Sequence, residues 1–391
     1  MQTVAAFMSQ SLPVLAPLLT GSAGLAPQAV GPLSGLSTLG SMVFLILGAP
    51  WLARAGPVRA LQAGTALSAV GIGVAAFGGG WLGATGALVA AAFLLGLGYG
   101  PSNPAGARIL SATAPVRHRS LIFSVKQAGA PLGGVLAGLL VAPLAVWLGS
   151  GWTLLAVLAL AVAATAAIQP ARASLDAERD ATRPVGLRAT FSPANLVTPF
   201  RALRERPGLG ALTLLAFSFA VCQGCLQAFV VTWLTETRGF TLVAAGGVYA
   251  AIQTGSSLSR LVLGWAADRS GRPSATLVLQ AVAGGALVAG FALLPAGTGH
   301  AAVLALGAVT GALCAGWNGI FQAEIARLAA PGRIAEATAG STTLCFVGYA
   351  VAPAVFAWAV SATGSWAIPQ VATAAQLIVV AVLVAPRLWR A

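Results

Sequence analysis

The chain has 391 residues, of which 58% are hydrophobic and only 7% are charged, whereas a soluble globular domain carries about 25% charged residues. A water-soluble surface cannot be built from this composition, which excludes most classes of soluble enzyme. The net charge of +13 comes from arginines in short clusters between apolar segments, a pattern typical of cytoplasmic loops rather than of a nucleic-acid-binding face. We therefore expect a lipid bilayer as the partner along the whole chain, and no nucleic acid.

Apolar runs long enough to cross a bilayer recur from end to end, and each crossing needs about 20 residues. Backbone groups in lipid must be bonded within helices or a closed barrel, so runs of this length predict helices. The first run begins at Val4 and is predicted to be a permanent helix rather than a cleaved signal peptide. We expect about twelve spans, centred near Val14, Met42, Val70, Leu94, Leu132, Leu158, Phe217, Ile252, Ala286, Leu306, Val351 and Ile378.

One long polar stretch, between the sixth and seventh spans, divides the chain. The predicted organisation is an N-terminal six-helix bundle at 1–168, a cytoplasmic linker at 169–207 and a C-terminal six-helix bundle at 208–391. Arginine accumulates in cytoplasmic loops, so the basic alternate loops place both termini and the linker in the cytoplasm. We expect the protein in the inner (cytoplasmic) membrane of the cell. These loops contain Arg54, Arg59, Arg117, Arg119, Arg172, Arg183, Arg188, Arg269, Arg272, Arg327, Arg333, Arg387 and Arg390.

The two predicted halves repeat each other at two places. Arg54-Ala55-Gly56 corresponds to Arg269-Ser270-Gly271 at a shift of 215 residues. Pro115-Val116-Arg117 corresponds to Pro331-Gly332-Arg333 at a shift of 216. Two distant matches at nearly the same shift predict parallel repeats, related by an axis along the membrane normal.

The loop between the eighth and ninth spans reads Gly264, then Asp268-Arg269-Ser270-Gly271-Arg272. This pattern resembles the signature loop of the major facilitator superfamily, and with the spans the resemblance covers the whole chain. It implies an all-α membrane protein with twelve transmembrane helices in two pseudo-symmetric bundles around a central substrate path. It also implies that Asp268 is a gating carboxylate near a helix N-terminus, with Arg269 and Arg272 as anchors. Ala53 stands where the first half would have its aspartate, so that latch is expected to be weak or absent.

Two cationic side chains lie inside predicted spans, where ionisable groups are costly and usually functional. Lys126 is the only lysine and lies roughly 10 Å into the fifth span; Arg260 lies roughly 12 Å into the eighth. The acidic residues are expected in loops or at helix ends, so no internal carboxylate is available to neutralise them. Such a pair favours an anionic ligand, and we interpret it as an anion clamp.

The superfamily resemblance supports this interpretation of the two cations, because in that fold the fifth and eighth helices meet across the path. Arg260, followed by Gly264 and Asp268, resembles the eighth-helix arginine that contacts the anionic substrate of monocarboxylate, oxalate/formate and nitrate/nitrite transporters. Structural alternatives remain for both residues. Arg260 could pack against helix ends near the latch, and Lys126 could extend to the cytoplasmic interface.

Other polar side chains inside spans could complete a binding site or could join two helices. Tyr249 is one turn from Gln253 and should share its face. The four cysteines, Cys222, Cys225, Cys314 and Cys345, lack the spacing of a metal site and are interpreted as core residues. No metal or cofactor is expected. The further candidates for substrate contact are Gln10, Asn103, Gln223, Gln227, Gln253 and Asn318, with the three tyrosines Tyr99, Tyr249 and Tyr349.

The resulting hypothesis is a secondary active transporter that moves a small organic anion, above all a carboxylate, by alternating access. The sequence contains no nucleotide-binding loop, so gradients would supply the energy, with protons or a counter-anion as coupling partner; facilitated diffusion stays open. The alternative within the same fold is a drug or metabolite exporter with an apolar pocket. A membrane-embedded enzyme or sensor would need a catalytic cluster or a soluble domain, and the sequence offers neither. We expect a monomer without enzymatic activity.

Overall fold

The computed structural model describes residues 1–113, 115, 119–177, 179–182, 191, 197–330 and 333–389. Several residues used above for the loops and the repeat lie outside this part of the chain: Val116, Arg117, Arg183, Arg188, Pro331, Gly332 and Arg390. The side chain of Asp268 also lies outside it. Within the described ranges, all regular structure is helical.

Two compact units divide the chain, and their main division falls inside the stretch that the sequence predicts as a linker. The first unit comprises Met1–Ala29 and Leu36–Ser192. Its helices are α1 (Gln2–Ser22), α2 (Val30–Leu47), α3 (Ala49–Ala55), α4 (Pro57–Phe77), α5 (Gly79–Tyr99), α6 (Ser102–Thr113), α7 (Arg119–Leu136), α8 (Ala142–Ala167) and α9 (Arg172–Leu175), with a π-helical stretch at Ala137–Val141.

The second unit comprises Pro193–Ala391 and the first residues of α2, Val30–Gly35. Its helices are α10 (Thr198–Ala202), α11 (Pro207–Arg238), α12 (Leu242–Ser270), α13 (Pro273–Ala292), α14 (His300–Ala315), α15 (Asn318–Leu328), α16 (Ile334–Thr363) and α17 (Ala367–Trp389).

Ten stretches of the described chain are long and apolar enough to cross a membrane. The predicted fifth and sixth spans lie in one of them, Val125–Leu175, where Gly149 interrupts the helix with a φ of 80°. The predicted eighth span is α12, which falls short in hydropathy because Gln253, Ser259 and neighbouring polar residues interrupt its apolar surface. The ten stretches and α12 together therefore account for every predicted span.

Small residues allow α1 and α7 to approach closely in the first unit. A methyl group at Gly133 would lie 2.6 Å from the Phe7 nitrogen and 2.6 Å from the Thr3 carbonyl oxygen. Such distances are far inside van der Waals contact, and the atoms they involve are backbone that cannot move aside. The packing of these two helices therefore depends on glycine at this position.

We expect Gly133→Ala to destabilise the protein by about 1–3 kcal/mol, the usual cost of overpacking. The matched control is Gly73→Ala on α4, where an added methyl group meets no atom within 4 Å. Thermal unfolding of both purified variants in detergent measures the difference. Equal unfolding temperatures for the two variants would contradict the packing argument.

The first turn of α4 receives a carboxylate from Asp176, which directly follows α9. Asp176 Oδ1 accepts from the backbone nitrogen of Val58 at 2.7 Å, and Oδ2 accepts from that of Arg59 at 3.3 Å. The Arg59 guanidinium nitrogen Nε lies 3.9 Å from the same carboxylate. Negative charge at a helix N-terminus is favourable because the first amide groups have no partner within the helix.

This contact lies beside the loop in which the first half lacks an aspartate. Ala53 stands where an aspartate is expected, and the backbone nitrogen of Asp180 donates to the Ala53 carbonyl oxygen at 3.1 Å. Gly56 has a φ of 94°, and a methyl group there would lie 2.6 Å from Asp176 Cγ. The segment after the sixth span thus brings a carboxylate close to this loop.

The second unit places a carboxylate at the corresponding helix from a different element. Ser274, in the first turn of α13, donates its hydroxyl to the Glu324 carboxylate of α15. Arg327 forms two hydrogen bonds to the same carboxylate, each of 2.9 Å. The sequence predicts Glu324 at a loop or helix end; it lies near the end of α15, but only 1% of it is exposed.

Asp176→Ala should lower the free energy of unfolding by about 0.5–2 kcal/mol, as expected for loss of a helix-capping carboxylate. Asp176→Asn should cost less, since its amide oxygen can still accept from Val58. Asp180→Asn removes the same charge from an exposed side chain of the same segment and serves as control. The three thermal unfolding curves rank the variants. An Asp176→Ala protein as stable as the control would show that the cap contributes nothing.

Candidate functional site

The Lys126 ammonium group is held against α6 by neutral oxygens. Its Nζ donates to the Asn103 side-chain oxygen Oδ1, to the Asn103 carbonyl oxygen at 3.2 Å, and to Gln127 Oε1 at 3.2 Å. A lysine ammonium has three N–H donors, so each has an acceptor. The structure therefore brings together two predicted site residues, Lys126 and Asn103, although they lie on different helices.

None of the acceptors of Lys126 carries a negative charge. No carboxylate among the described residues lies within ion-pair distance of its Nζ. The lysine stem also lies over Gly106, where an added methyl group would approach the Lys126 Cε carbon to 2.8 Å. The positive charge is therefore positioned firmly without being neutralised.

Two further candidates of the first unit lie on neighbouring helices. Gln10 of α1 donates from Nε2 to the Ala130 carbonyl oxygen at 3.0 Å, one turn after Lys126 on α7. This bond joins two helices, which is the structural alternative that the sequence leaves open for Gln10. Tyr99 is half-buried in the last turn of α5, before the break at 100–101 that precedes α6.

In the second unit, α12 carries a polar stripe along one face. Tyr249, Gln253, Ser256 and Arg260 follow each other at spacings of four, three and four residues, which places them on one side of a helix. Tyr249 and Gln253 share a face of α12 as predicted, and Gln253 Nε2 donates to the tyrosine oxygen at 3.4 Å. The first three are fully buried, whereas Arg260 is half-buried.

Arg260 meets the C-terminal end of α14. The tenth span breaks at Gly316 and Trp317, and this break frees carbonyl groups at the end of α14. The Ala315 oxygen accepts from Ser256 Oγ at 2.9 Å and from Arg260 Nη2 at 3.5 Å. A helix C-terminus carries about half a negative elementary charge, so this end partly compensates the guanidinium.

The structural alternative for Arg260 is therefore partly realised, at a different place from the one predicted. The helix end that Arg260 contacts belongs to the break inside the tenth span. Close approach of α12 to α14 makes the contact possible, because a methyl group at Gly316 would lie 2.9 Å from Ser259 Cβ. Gln280 of α13 satisfies a further carbonyl at this end, that of Leu313, at 3.0 Å.

A second polar cluster surrounds Gln223 on α11. Its oxygen Oε1 accepts from the indole nitrogen Nε1 of Trp317 at 2.9 Å and from the Tyr349 hydroxyl at 2.7 Å. One turn later, Gln227 Nε2 donates to Gln253 Oε1 at 3.2 Å. The structure thus joins five of the predicted residues into two neighbouring networks: Gln223, Gln227, Gln253, Tyr249 and Tyr349.

Trp317 is the functional candidate that sequence reasoning misses. It is 1% exposed and stacks on Phe219 with ring centroids 5.4 Å apart. The available signal was the Gly316-Trp317 pair inside an apolar run, which marks a helix break. Asn318, which was predicted to contact substrate, begins α15 and is half-buried; its side chain forms no hydrogen bond within the described ranges.

The signature loop connects α12 to α13. Gly264 lies in α12, and Arg269, in its last turn, places its guanidinium 5.8 Å from the centre of the Trp265 ring. Gly271 has a φ of 61°, which explains why glycine is used there. Arg272 directly precedes Pro273, the first residue of α13.

The described part of the chain contains no group of three His, Cys, Asp or Glu residues that could hold a metal ion. All four cysteines are buried free thiols.

Comparison with solved structures shows the same fold in transporters. A POT family transporter in complex with a thioalcohol-conjugated peptide matches with a TM-score of 0.75 at 13% identity, over 99% of this chain and 94% of that one. The D323A mutant of the nucleoside transporter NupG matches with a TM-score of 0.74 at 14% identity, over 98% of each chain. A bacterial homologue of the human lysosomal transporter Spinster matches with a TM-score of 0.71 at 15% identity, over 98% of this chain and 94% of that one.

These structural matches establish the fold, but at such low sequence identity they do not identify the substrate. No curated protein sequence matches the chain. The sequence model of the Major Facilitator Superfamily matches residues 1–353, which is most of the chain, and the expected all-α membrane fold is confirmed. The chain belongs to the Major Facilitator Superfamily of transporters.

Proposed function

We propose that this transporter carries a small organic anion, a carboxylate in the first place, by secondary active transport, and that Lys126 and Arg260 attract its negative charge. The observation that carries the proposal is the Lys126 ammonium group inside a predicted span, with three neutral acceptors and no carboxylate partner among the described residues. Each half of the fold would then contribute one cation to an alternating-access cycle.

The energetics of Lys126 favour an anion as the missing partner. Removing an ammonium group from water costs several kcal/mol even after the protein relaxes. Each hydrogen bond to a charged group contributes about 1.5–3 kcal/mol. Such bonds can offset the cost of removing the ammonium group from water, but they do not neutralise its charge. A carboxylate at Lys126 would gain the attraction that no side chain of the described chain provides.

Arg260, in contrast, already contacts a group of partial negative charge. The α14 C-terminus supplies about half an elementary charge, at a distance of 3.5 Å from one guanidinium nitrogen. The guanidinium has five donors in a fork that matches a carboxylate in two-point geometry. A carboxylate bound there would add a charged, two-point contact to the one that Arg260 makes with the helix end.

The related structures do not agree on one class of substrate. Related structures contain a conjugated peptide, alafosfalin or sulfate, and NupG is a nucleoside transporter. An exporter of lipophilic compounds is the competing function within the same fold. The polar stripe on α12 and its neighbouring glutamines favour an anion over such a compound.

Uptake into proteoliposomes tests the proposal with radiolabelled formate, acetate, pyruvate and oxalate. Lys126→Ala and Arg260→Ala should each raise KM at least tenfold for the transported anion, the factor expected for losing one hydrogen bond to a charged group. Arg387→Ala, in the last turn of α17, removes the same charge elsewhere and should leave uptake unchanged.

Full uptake by both cation variants would refute the role of these residues. Uptake of lipophilic cations in place of the anions by the wild type would establish the exporter instead. Vesicles with an imposed pH gradient, compared with vesicles preloaded with unlabelled anion, identify protons or a counter-anion as the coupling partner.

We further propose that two six-helix bundles, 1–168 and 208–391, flank a cytoplasmic linker at 169–207 in the inner membrane, with both termini on the cytoplasmic side. The concentration of arginine in alternate loops supports this orientation. An impermeant maleimide applied to intact cells should label Ala296→Cys, an exposed position between α13 and α14. Ala177→Cys, exposed after α9, should be labelled only once the membrane is opened. The reverse pattern would invert the topology.

A further inference from the structure

Gln223 is a buried amide whose oxygen is fully engaged and whose nitrogen is not. Only 5% of the residue is exposed. Its Oε1 accepts two hydrogen bonds, from Trp317 Nε1 at 2.9 Å and from the Tyr349 hydroxyl at 2.7 Å. Its Nε2 has no hydrogen-bond partner within the part of the chain that the structure describes. The amide is therefore held at one end only.

The chemistry of Trp317 and Tyr349 determines which atom of the Gln223 amide faces them. An indole nitrogen can only donate a hydrogen bond, so the Gln223 atom that faces Trp317 must be the carbonyl oxygen. The opposite orientation would place two N–H groups against each other. With the oxygen so assigned, the Tyr349 hydroxyl donates its hydrogen to it as well. Two donors on separate elements thus prevent the amide from turning over.

The consequence is a pair of N–H groups directed away from both partners. Nε2 is not one of the fully buried polar atoms that lack a partner among the described residues, so its N–H groups remain accessible to solvent or to a ligand. Gln227, one turn along α11, places its own N–H on Gln253, so a hydrogen-bond acceptor for Gln223 has to come from outside this network. A ligand that presents oxygen atoms would supply it.

We propose that Gln223 donates hydrogen bonds to a carboxylate oxygen of the substrate, and that Trp317 and Tyr349 are positioning residues that hold its amide in the donor orientation. The inference rests on the proposed function for the substrate class and adds a specificity device to it. The site selects acceptor atoms, because a substrate group that presents N–H to Gln223 would meet only donors. A carboxylate, which accepts and never donates when ionised, fits best.

The decisive experiment is a double-mutant cycle in proteoliposomes with radiolabelled pyruvate and acetate. Gln223→Met, which removes the donors, should raise KM roughly tenfold. Trp317→Phe, which removes the N–H donor but keeps a smaller aromatic ring beside Phe219, should raise KM severalfold with little change in kcat. Tyr349→Phe should act in the same way and provides a second route if one variant folds poorly.

The cycle separates positioning from packing. If Trp317 acts through Gln223, then Trp317→Phe should have no further effect in the Gln223→Met background. Gln223→Glu keeps an acceptor for Trp317 and Tyr349 but replaces the donors with negative charge, and it should raise KM more than Gln223→Met does. Gln376→Met removes a glutamine that bonds to Ser218 elsewhere on α11 and should leave KM unchanged.

The outcomes distinguish this inference from the proposed function. Loss of uptake in the Lys126 and Arg260 variants, with Gln223→Met and Gln223→Glu both at wild-type KM, would overturn the role of Gln223 and leave anion transport standing. Additive effects of Trp317→Phe and Gln223→Met would overturn the positioning role of Trp317. Failure of the wild type to take up any carboxylate would overturn the proposed function and this inference together.

Discussion

Every backbone N–H and carbonyl group inside a bilayer must find a partner within the protein, since lipid offers none. The break in the tenth span makes this constraint visible. The carbonyl groups freed at the end of α14 are taken by Gln280, Ser256 and Arg260, side chains that two other helices direct to the break. The same break turns the Trp317 indole toward Gln223. The polar clusters around Arg260 and Gln223 are thus arranged around one interruption of a helix.

The two cations that the sequence places inside spans are accommodated by different physical means. Lys126 relies on amide oxygens of Asn103 and Gln127, which solvate the ammonium group as water would. Arg260 relies on the partial charge of a helix end. Among the described residues, no carboxylate lies within ion-pair distance of the Lys126 ammonium group. The surroundings of the two cations therefore differ chemically between the two units.

Sequence reasoning could predict what the bilayer imposes directly. Span positions and the unusual placement of Lys126 and Arg260 follow from hydropathy, because lipid penalises charge wherever it occurs. Partners could not be predicted in the same way. Asn103 and Lys126 meet only because α6 folds back on α7, and Trp317 looks apolar until the break gives its N–H a direction. Asp176 and Val58 are separated by 118 residues, so no local pattern connects them.

The contacts of Asp176 and Asp180 make the start of the predicted linker part of the first unit. The composition of the linker suggests a free tether between two bundles, yet its first residues, through Asp180, are bonded to the loop and helix start at 53–59. A change in the length of the chain between α8 and Asp180 would therefore disturb the first unit. A first half produced separately and ended at residue 168 would lack the carboxylate that α4 needs, whereas one extended through Asp180 would carry it.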